Sequence, residues 1–323
     1  MSISVTIPVY NEEGSLKRLH DQLIPVLDSL RVPWEVILVN DGSTDGTPGL
    51  LDELAAKDTR LKVLHFRRNA GQTAAMMAGF EHARGDIIVP MDADLQNDPQ
   101  DIPLLLAKLD EGFDVCSGWR RERQDHALRR NLPSRIANWL ISKVSGVRLH
   151  DYGCSLKAYR REVIKGVRLY GEMHRFIPIY ASWLGAKVTE VPVRHHPRVT
   201  GTSSYGLERI FKVLLDLVVV KFLDRYAQKP IYVFGGFGLL NFLVSLGAGL
   251  WAVYLKYWNG ISFILTPLPL LVVMSAITGV MCVLLGLVAE LVTRNWHESH
   301  GKQTYIIGAS RNLEVGIITS GGT

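Results

Sequence analysis

Two carboxylates separated by one residue, Asp92 and Asp94, follow the apolar run DIIVPM. In an extended segment, side chains at positions i and i+2 point to the same side, so both carboxylates can converge on one hard divalent cation. Gln96 can supply a further oxygen ligand, directly or through water. A cation held there would neutralise a diphosphate leaving group. A lone pair of aspartates is also common in solvated turns, but the longer string MDADLQNDP at a strand end favours the metal site.

Two further polar clusters stand where strands are predicted to end. Residues 10–13 (YNEE) follow the first apolar run, and residues 40–43 (NDGS) follow the second. Over residues 1–115, apolar runs alternate with helical patterns, which predicts an α/β fold with a mostly parallel sheet covered by helices. Ligands of such sheets bind beyond the carboxyl ends of the strands, so the clusters predict one site. The absence of GxGxxG after the first strand disfavours a dinucleotide fold.

A run of arginines occupies residues 119–135, WRRERQDHALRRNLPSR, with only two acids among them. Arginine forks suit phosphate oxygens. A solvated basic helix face and a nucleic-acid patch are the alternatives; the second is disfavoured because few aromatic residues are interleaved. His174 and Arg175 stand in a polar turn between apolar segments, where His174 either lines an acceptor channel or is a buried core histidine.

Composition excludes several classes of protein. The 323 residues include 36 Lys and Arg against 31 Asp and Glu, and 47% are hydrophobic, so the chain is neither disordered nor collagenous. The three cysteines form no CxxC pair, which argues against a zinc site and against a disulfide framework. The N-terminus lacks the pattern of a signal peptide, so we expect the first two thirds to stay in the cytosol.

Apolar residues are concentrated near the C-terminus. Residues 231–255 carry no charge, and a second uncharged run covers residues 257–289, which predicts two transmembrane helices in a hairpin. Buried core helices are the alternative, but they rarely run so long without charge. Basic residues on the outer flanks predict that both termini are cytoplasmic. Just before the hairpin, residues 207–229 show a helical apolar stripe, which indicates an amphipathic helix lying either on the membrane or on the globular domain.

The predicted organisation has four parts. Residues 1–206 form the cytosolic α/β domain, residues 207–229 the amphipathic helix, residues 230–293 the two transmembrane helices, and residues 294–323 a cytosolic tail. The location is therefore the cytoplasmic (inner) membrane, as a multi-pass protein.

In chain order, IPVYNEE, VNDGSTDGT, MDADLQNDP and DYGCSLKAYRREV precede the predicted hairpin. This order resembles the family 2 inverting glycosyltransferases with a GT-A fold, and within them the polyprenyl-phosphate glycosyltransferases. The resemblance covers residues 3–306, and RNxGQ, RQD and FIPI are shared with the aminoarabinose-type bacterial enzymes. It implies a metal-dependent enzyme that transfers a sugar from a UDP- or GDP-linked donor to a polyprenyl (undecaprenyl) phosphate, with inversion. The product would serve envelope glycan synthesis or lipid A modification, and a homo-oligomer would fit the group.

The resemblance also implies roles for individual residues. The nucleotide-sugar positions are Pro8, Val9, Tyr10, Glu12, Asp41 and Asp92, and those for Mg²⁺ or Mn²⁺ are Asp92, Asp94 and Gln96. Arg120, one arginine among Arg129, Arg130 and Arg135, and Arg198 match the acceptor-phosphate positions. His174 and Arg175 are added as acceptor candidates because of their polar turn. The positions at the chemistry itself are Asp94, Arg120 and Asp151. Asp151 has either a proton-transfer or a positioning role, because an anionic phosphate can attack without a strong base.

Two other functions stay open on the sequence. A membrane polysaccharide synthase is disfavoured by a hairpin of only two spans and by the absence of a QxxRW-like segment. A non-catalytic membrane protein that binds nucleotide sugars is disfavoured by the presence of Asp92, Asp94 and Arg198 together. The sequence does not specify the sugar, the base of the donor or the length of the acceptor.

Overall fold

The computed structural model describes residues 1–121, 141–142, 145–165, 173–197, 231–298 and 305–313. The chain divides into two compact units, one of Met1–Leu217 with Gln303–Thr323 and one of Val218–Lys302. The predicted amphipathic helix at residues 207–229 lies outside the described residues.

The first unit is built on one sheet. Its described strands, in chain order, are β1 Ile3–Val9, β2 Trp34–Asn40, β3 Leu61–Phe66, β4 Ile87–Pro90, β5 Val115–Trp119, β6 Lys157–Arg160, β7 Val188–Pro192 and β8 Ile307–Arg311. They lie side by side in the order β7-β5-β6-β4-β1-β2-β3-β8. β6 pairs antiparallel with β4 and β5, β8 pairs antiparallel with β3, and the other neighbours are parallel. The predicted mostly parallel α/β sheet is confirmed.

Helices connect and cover these strands. Those described in the first unit are α1 Glu13–Ser29, α2 Thr47–Lys57, α3 Gln72–His82, α4 Ile102–Asp110, α5 Arg161–Lys165 and α6 Ile177–Trp183. Along α1, the buried leucines Leu16, Leu19, Leu23 and Leu27 recur every three or four residues, so one stripe of the helix faces the core. β1, β2 and β4 are apolar almost throughout because both faces of the sheet are covered.

The strand order positions the site. The chain runs from β1 through β2 to β3 on one side, and then returns to place β4 on the other side of β1. Connections therefore leave the carboxyl ends of β1 and β4 in opposite directions, which opens a crevice between them. The segment YNEE follows β1 and the segment DADLQ follows β4, so both meet at this crevice.

The last strand, β8, comes from the segment after the hairpin, to which the sequence pattern assigned no element. Tyr305 stacks on Phe66 with ring centroids 4.8 Å apart, and the Asn312 side chain donates to the carbonyls of Ala55 and Leu61 at 2.7 and 2.8 Å. β8 thus covers the edge of β3, whose backbone groups would otherwise be open to pairing.

The second unit contains two long helices, α7 Ile231–Trp258 and α8 Leu268–Glu298. Their apolar segments Val233–Trp258 and Leu268–Ala289 are long enough to cross a membrane, and only 11% and 17% of the residues in their most apolar stretches are buried. Side chains such as Leu250, 64% exposed, would be unfavourable in water. Core helices of a soluble protein would be mostly buried, so the pattern favours a pair of membrane spans.

The two helices of this unit approach closely at glycines. A Cβ atom on Gly279 would lie 3.0 Å from the Phe242 ring and 3.1 Å from the Gly238 carbonyl oxygen. The Ser245 hydroxyl donates across the pair to the carbonyl of Val272 at 2.9 Å. Small residues and hydroxyls at the contact are the usual means of packing helices in a membrane.

Candidate active site

A cleft of about 450 Å³ opens at the carboxyl ends of β1, β2 and β4. Most of the site residues predicted from the sequence lie together on the wall of this cleft. They are Pro8, Val9, Tyr10, Glu12, Asp41, Asp92, Asp94, Gln96, Arg120 and Arg175. Asp151 lies behind the wall and contacts Arg120. Arg129, Arg130, Arg135 and Arg198 lie outside the described residues, and for His174 only the backbone is described, in a short 3₁₀ turn.

Two loops form one end of the cleft, and they bind each other. Asn11 has a φ of 54°, a left-handed conformation that asparagine tolerates better than most residues. Its backbone N–H donates to the Ser43 hydroxyl at 3.0 Å, and its side-chain oxygen accepts from the Thr44 N–H at 2.9 Å. The Glu12 N–H donates to the Thr47 hydroxyl at 3.0 Å. The loops after β1 and β2 therefore share one hydrogen-bonded arrangement.

Asp41 joins this end of the cleft to a third loop. Its carboxylate accepts from the backbone N–H groups of Ala70 and Gly71, at 2.6 and 3.0 Å. Burial raises the pKa of Asp41, although these two hydrogen bonds act in the opposite direction. The next residue must be glycine, because Gly42 has a φ of 69° and a Cβ there would lie 2.5 Å from the Asn69 nitrogen.

The two carboxylates after β4 lie in the middle of the cleft. Gln72 donates from Nε2 to Asp92 Oδ1 at 2.9 Å, and Asp94 Oδ1 accepts from the Gln96 N–H at 3.2 Å. Burial, and then the neighbouring negative charge of Asp94, raise the pKa of Asp92. A divalent cation would relieve this repulsion, so the pair fits a hard cation. Within the described part of the chain, no three His, Cys, Asp or Glu side chains form a cluster that could hold a metal, so further ligands would be oxygens of Gln96, substrate or water.

The opposite end of the cleft is built around a buried ion pair. Arg120 donates from Nε and Nη2 to the two carboxylate oxygens of Asp151, at 2.6 and 3.0 Å. The Asp151 Oδ1 atom also accepts from the Gly153 N–H at 3.0 Å. Arg120 lines the cleft, so the carboxylate behind it orients the guanidinium toward the space where an anion would bind.

Two residues of β6 that were not predicted as site residues also line the cleft. Lys157 and Tyr159 are alternate residues of the strand and therefore face the same side. The Lys157 ammonium is buried and donates to the backbone carbonyls of Tyr152, at 3.3 Å, and Cys154. Burial lowers the pKa of Lys157. This lysine thus fixes the segment that carries Asp151.

The remaining lining residues come from the segment between β3 and α3, from the first turns of α3, from the end of β4 and the residues after it, and from the segment before β6. They are Asn69, Gly71, Gln72, Met76, Pro90, Ala93, Tyr152, Gly153, Cys154 and Ser155. The strings RNAGQ and DYGC marked the segments before α3 and before β6 in the sequence, but no pattern in them indicated which side chains face the cleft. The glycine at position 71 was the one sequence signal for a cleft-lining residue here, since a glycine between a strand and a helix often allows close approach of a ligand. In the structure, Gly71 has a φ of 93°.

A family model matches the first half of the chain, and two curated relatives match nearly all of it. The model of glycosyl transferase family 2 matches residues 4–168. The chain is 39% identical over 315 residues to a dodecaprenyl-phosphate galacturonate synthase of Rhizobium johnstonii, covering 95% of this chain and 92% of that protein. It is 36% identical over 323 residues to an undecaprenyl-phosphate 4-deoxy-4-formamido-L-arabinose transferase of Shewanella sediminis, covering 99% and 94%.

Solved structures show a similar fold. A glucosyl-3-phosphoglycerate synthase from Mycobacterium tuberculosis, crystallised with Mn²⁺, UDP and phosphoglyceric acid, superposes with a TM-score of 0.52 at 20% identity. The superposition covers 69% of this chain and 78% of that chain. The predicted GT-A fold is confirmed.

Proposed function

Because the chain belongs to glycosyl transferase family 2, as its motifs predicted, we propose that it transfers a sugar from a nucleoside diphosphate donor to a polyprenyl phosphate. The observation that carries the proposal is the cleft itself. Acidic residues that suit a metal-bound diphosphate lie in its middle, and the oriented guanidinium of Arg120 stands at one end. Both relatives named above act on polyprenyl phosphates and cover almost the whole chain, which supports this acceptor.

The names of the two relatives support a class of sugar for the donor. One relative is named for galacturonate and the other for a formamido-arabinose, both modified sugars. We propose a modified sugar of this kind as the transferred group, destined for an envelope glycan or for lipid A.

The reaction is an in-line displacement. An oxygen of the acceptor phosphate forms a bond to the anomeric carbon as the bond from that carbon to the donor diphosphate breaks, so the configuration inverts. A phosphate monoester, with a second pKa of about 6, is already anionic at neutral pH and needs no strong base. The residues therefore act by orienting and stabilising charge: Arg120, held by Asp151, grips the acceptor phosphate, and Arg175 lies on the same wall.

A divalent cation fits the acidic pair. Asp92 and Asp94 would hold it, with Gln96 as a further oxygen ligand, and Gln72 orients Asp92. When bound, Mg²⁺ or Mn²⁺ supplies charge neutralisation to the departing nucleoside diphosphate. The loops that carry Tyr10 and Asp41 would bind the nucleoside.

We further propose that the second unit holds the enzyme in the inner membrane. Its two apolar helices, α7 and α8, would span the bilayer, with the first unit and both termini in the cytoplasm. The apolar stripe in the sequence of residues 207–229 supports a further contact of this segment with the membrane surface.

Transfer of labelled sugar tests the proposal directly. The purified full chain in detergent would be given a panel of UDP- and GDP-linked sugars, uronic acids and amino sugars included, with Mn²⁺ or Mg²⁺ and undecaprenyl phosphate. We expect one donor to give a lipid-linked monosaccharide. Asp94→Ala should abolish transfer, whereas Asp110→Ala, an exposed aspartate on α4, should not. Full transfer by Asp94→Ala would refute the metal assignment, and a polymeric product would identify a polysaccharide synthase.

A further inference from the structure

A chain of hydrogen bonds runs behind the nucleoside end of the cleft. It starts on β8, where Arg311 Nη2 lies 3.0 Å from Asp52 Oδ2 of α2. Asp52 Oδ1 is 3.1 Å from His65 Nε2 on β3. His65 Nδ1 is 2.9 Å from Asn40 Nδ2, at the end of β2. Within this series of hydrogen bonds, Asp52, His65 and Asn40 do not line the cleft.

The hydrogen-bond partners of His65 define the tautomer of its neutral imidazole. The Asn40 side-chain nitrogen can only donate, so Nδ1 of His65 accepts, and the ring proton of the neutral imidazole is on Nε2. That proton is donated to the Asp52 carboxylate, a partner that fixes this tautomer. The imidazole side chain is only 12% exposed, so little water competes for either nitrogen.

The orientation of Asn40 decides the shape of the loop after β2. With its nitrogen bound to His65, its oxygen faces the loop and accepts from the Ser43 N–H at 2.9 Å. The Ser43 hydroxyl in turn accepts from the N–H of Asn11, in the loop after β1. If the Asn40 amide turned over, its nitrogen would face the Ser43 N–H and both bonds would be lost.

We propose that His65 is a positioning residue for donor binding: it orients Asn40, which holds the loops carrying Tyr10, Glu12 and Asp41 in the shape that receives the nucleotide. The inference rests on the proposed function, because these loops are assigned there to the nucleoside. Asp52 and Arg311 support the histidine from behind, so β8 contributes to the donor site without touching it.

Substitution by asparagine or by glutamine distinguishes the hydrogen bond made by His65 Nδ1 from the one made by His65 Nε2. Asparagine places an oxygen near the position of Nδ1, so His65→Asn keeps an acceptor for Asn40. Glutamine places its amide near the position of Nε2, so His65→Gln keeps only the contact with Asp52. Loss of one hydrogen bond is worth about 0.5–1.5 kcal/mol, so we expect His65→Gln to raise the donor KM about twofold to tenfold. The kcat and the KM for polyprenyl phosphate should stay near their wild-type values, and His65→Asn should restore the donor KM.

The matched control is His82→Gln. His82 is also partly buried, but its Nδ1 donates to the carbonyl of Ala78 in its own helix, away from the chain of bonds. Calorimetric binding of UDP and GDP to each variant gives a readout independent of turnover, and melting temperatures report folding. His82→Gln should bind nucleotide like the wild type.

Each outcome has a distinct meaning. Wild-type donor KM and nucleotide affinity in His65→Gln, in an enzyme that transfers sugar, would overturn the inference and leave the proposed function standing. The inference would also be overturned if the donor KM of His65→Asn rose as much as that of His65→Gln while both variants melted like the wild type. Failure of the wild type to bind any nucleotide or to transfer any sugar would overturn the proposed function and, with it, this inference.

Discussion

The Asp151→Asn substitution would remove the carboxylate that accepts hydrogen bonds of 2.6 and 3.0 Å from Arg120. The Arg120 and Asp151 side chains are only 12% and 6% exposed, so solvent screens their interaction weakly. Asparagine keeps the shape and can still accept one bond. It leaves the guanidinium buried without the negative charge that balances it.

Removing one partner of a buried ion pair costs about 3–5 kcal/mol. We expect about 3 kcal/mol for Asp151→Asn, the lower end, because one hydrogen bond can survive. In a domain of roughly 200 residues, each 1 kcal/mol lowers the melting temperature by about 2–4 °C, so the expected shift is about 6–12 °C.

Thermal unfolding in detergent, followed by tryptophan fluorescence, gives the assay. A double-mutant cycle with Arg120→Met measures the coupling, because the second substitution should cost little once the first has been made. Asp114→Asn is the matched control: Asp114 lies 3.5 Å from Arg160 in a more exposed ion pair, which should be worth at most about 1 kcal/mol.

Additive effects of the two single substitutions would refute the coupling on which this reasoning depends. A different result would reassign Asp151. If Asp151→Asn melted like the wild type but lost about 10²-fold to 10⁴-fold in kcat together with the acid limb of the pH–rate profile, the carboxylate would be a proton acceptor and not a positioning group.

Three other predictions concern the hairpin, the acidic pair and the surface. Gly279→Ala should destabilise the hairpin by about 1–3 kcal/mol through overpacking, whereas Gly247→Ala, with no atom within 4 Å of the new Cβ, should not; melting in detergent compares them. Removal of divalent cations by EDTA should abolish sugar transfer, and Asp94→Asn should raise the Mn²⁺ concentration needed to restore it, measured by titration. Hydrogen bonds from the side chain of Arg60 lower the pKa of Asp58, so its ionised form stabilises the fold above the unfolded pKa of about 4. Asp58→Asn should therefore cost about 1 kcal/mol at pH 7, and its melting curve should converge with the wild type as the pH falls through the lowered pKa.

Local sequence patterns predicted the elements that surround the cleft. The apolar runs that became β1, β2 and β4 are recognisable because strands covered on both faces need nearly continuous apolar side chains. The polar residues after them were informative because parallel strands bring their carboxyl ends to one edge. The two apolar helices were predictable for a similar reason, since a membrane span needs only length and the absence of charge.

Other features depend on contacts that no local pattern indicates. Lys157 stands in the strand sequence KAYR, which has no feature of a buried cation, and its burial becomes evident only from the carbonyls around it. The strand β8 has the sequence IGASR, with little apolar alternation, so nothing local marked it as part of the sheet. Its place is decided by the open edge of β3 and by the stacking of Tyr305 on Phe66.

The sequence by itself determined the fold class, the two apolar helices and the acidic pair after β4, because each is set by residues close together in the chain. Only the tertiary structure decided that Arg120 binds Asp151, 31 residues away, and that His65 connects Asn40 to Asp52. Hydrogen bonds need donor and acceptor within about 3 Å and in a defined direction. Residue spacing along the chain does not specify either quantity until the sheet brings distant segments together.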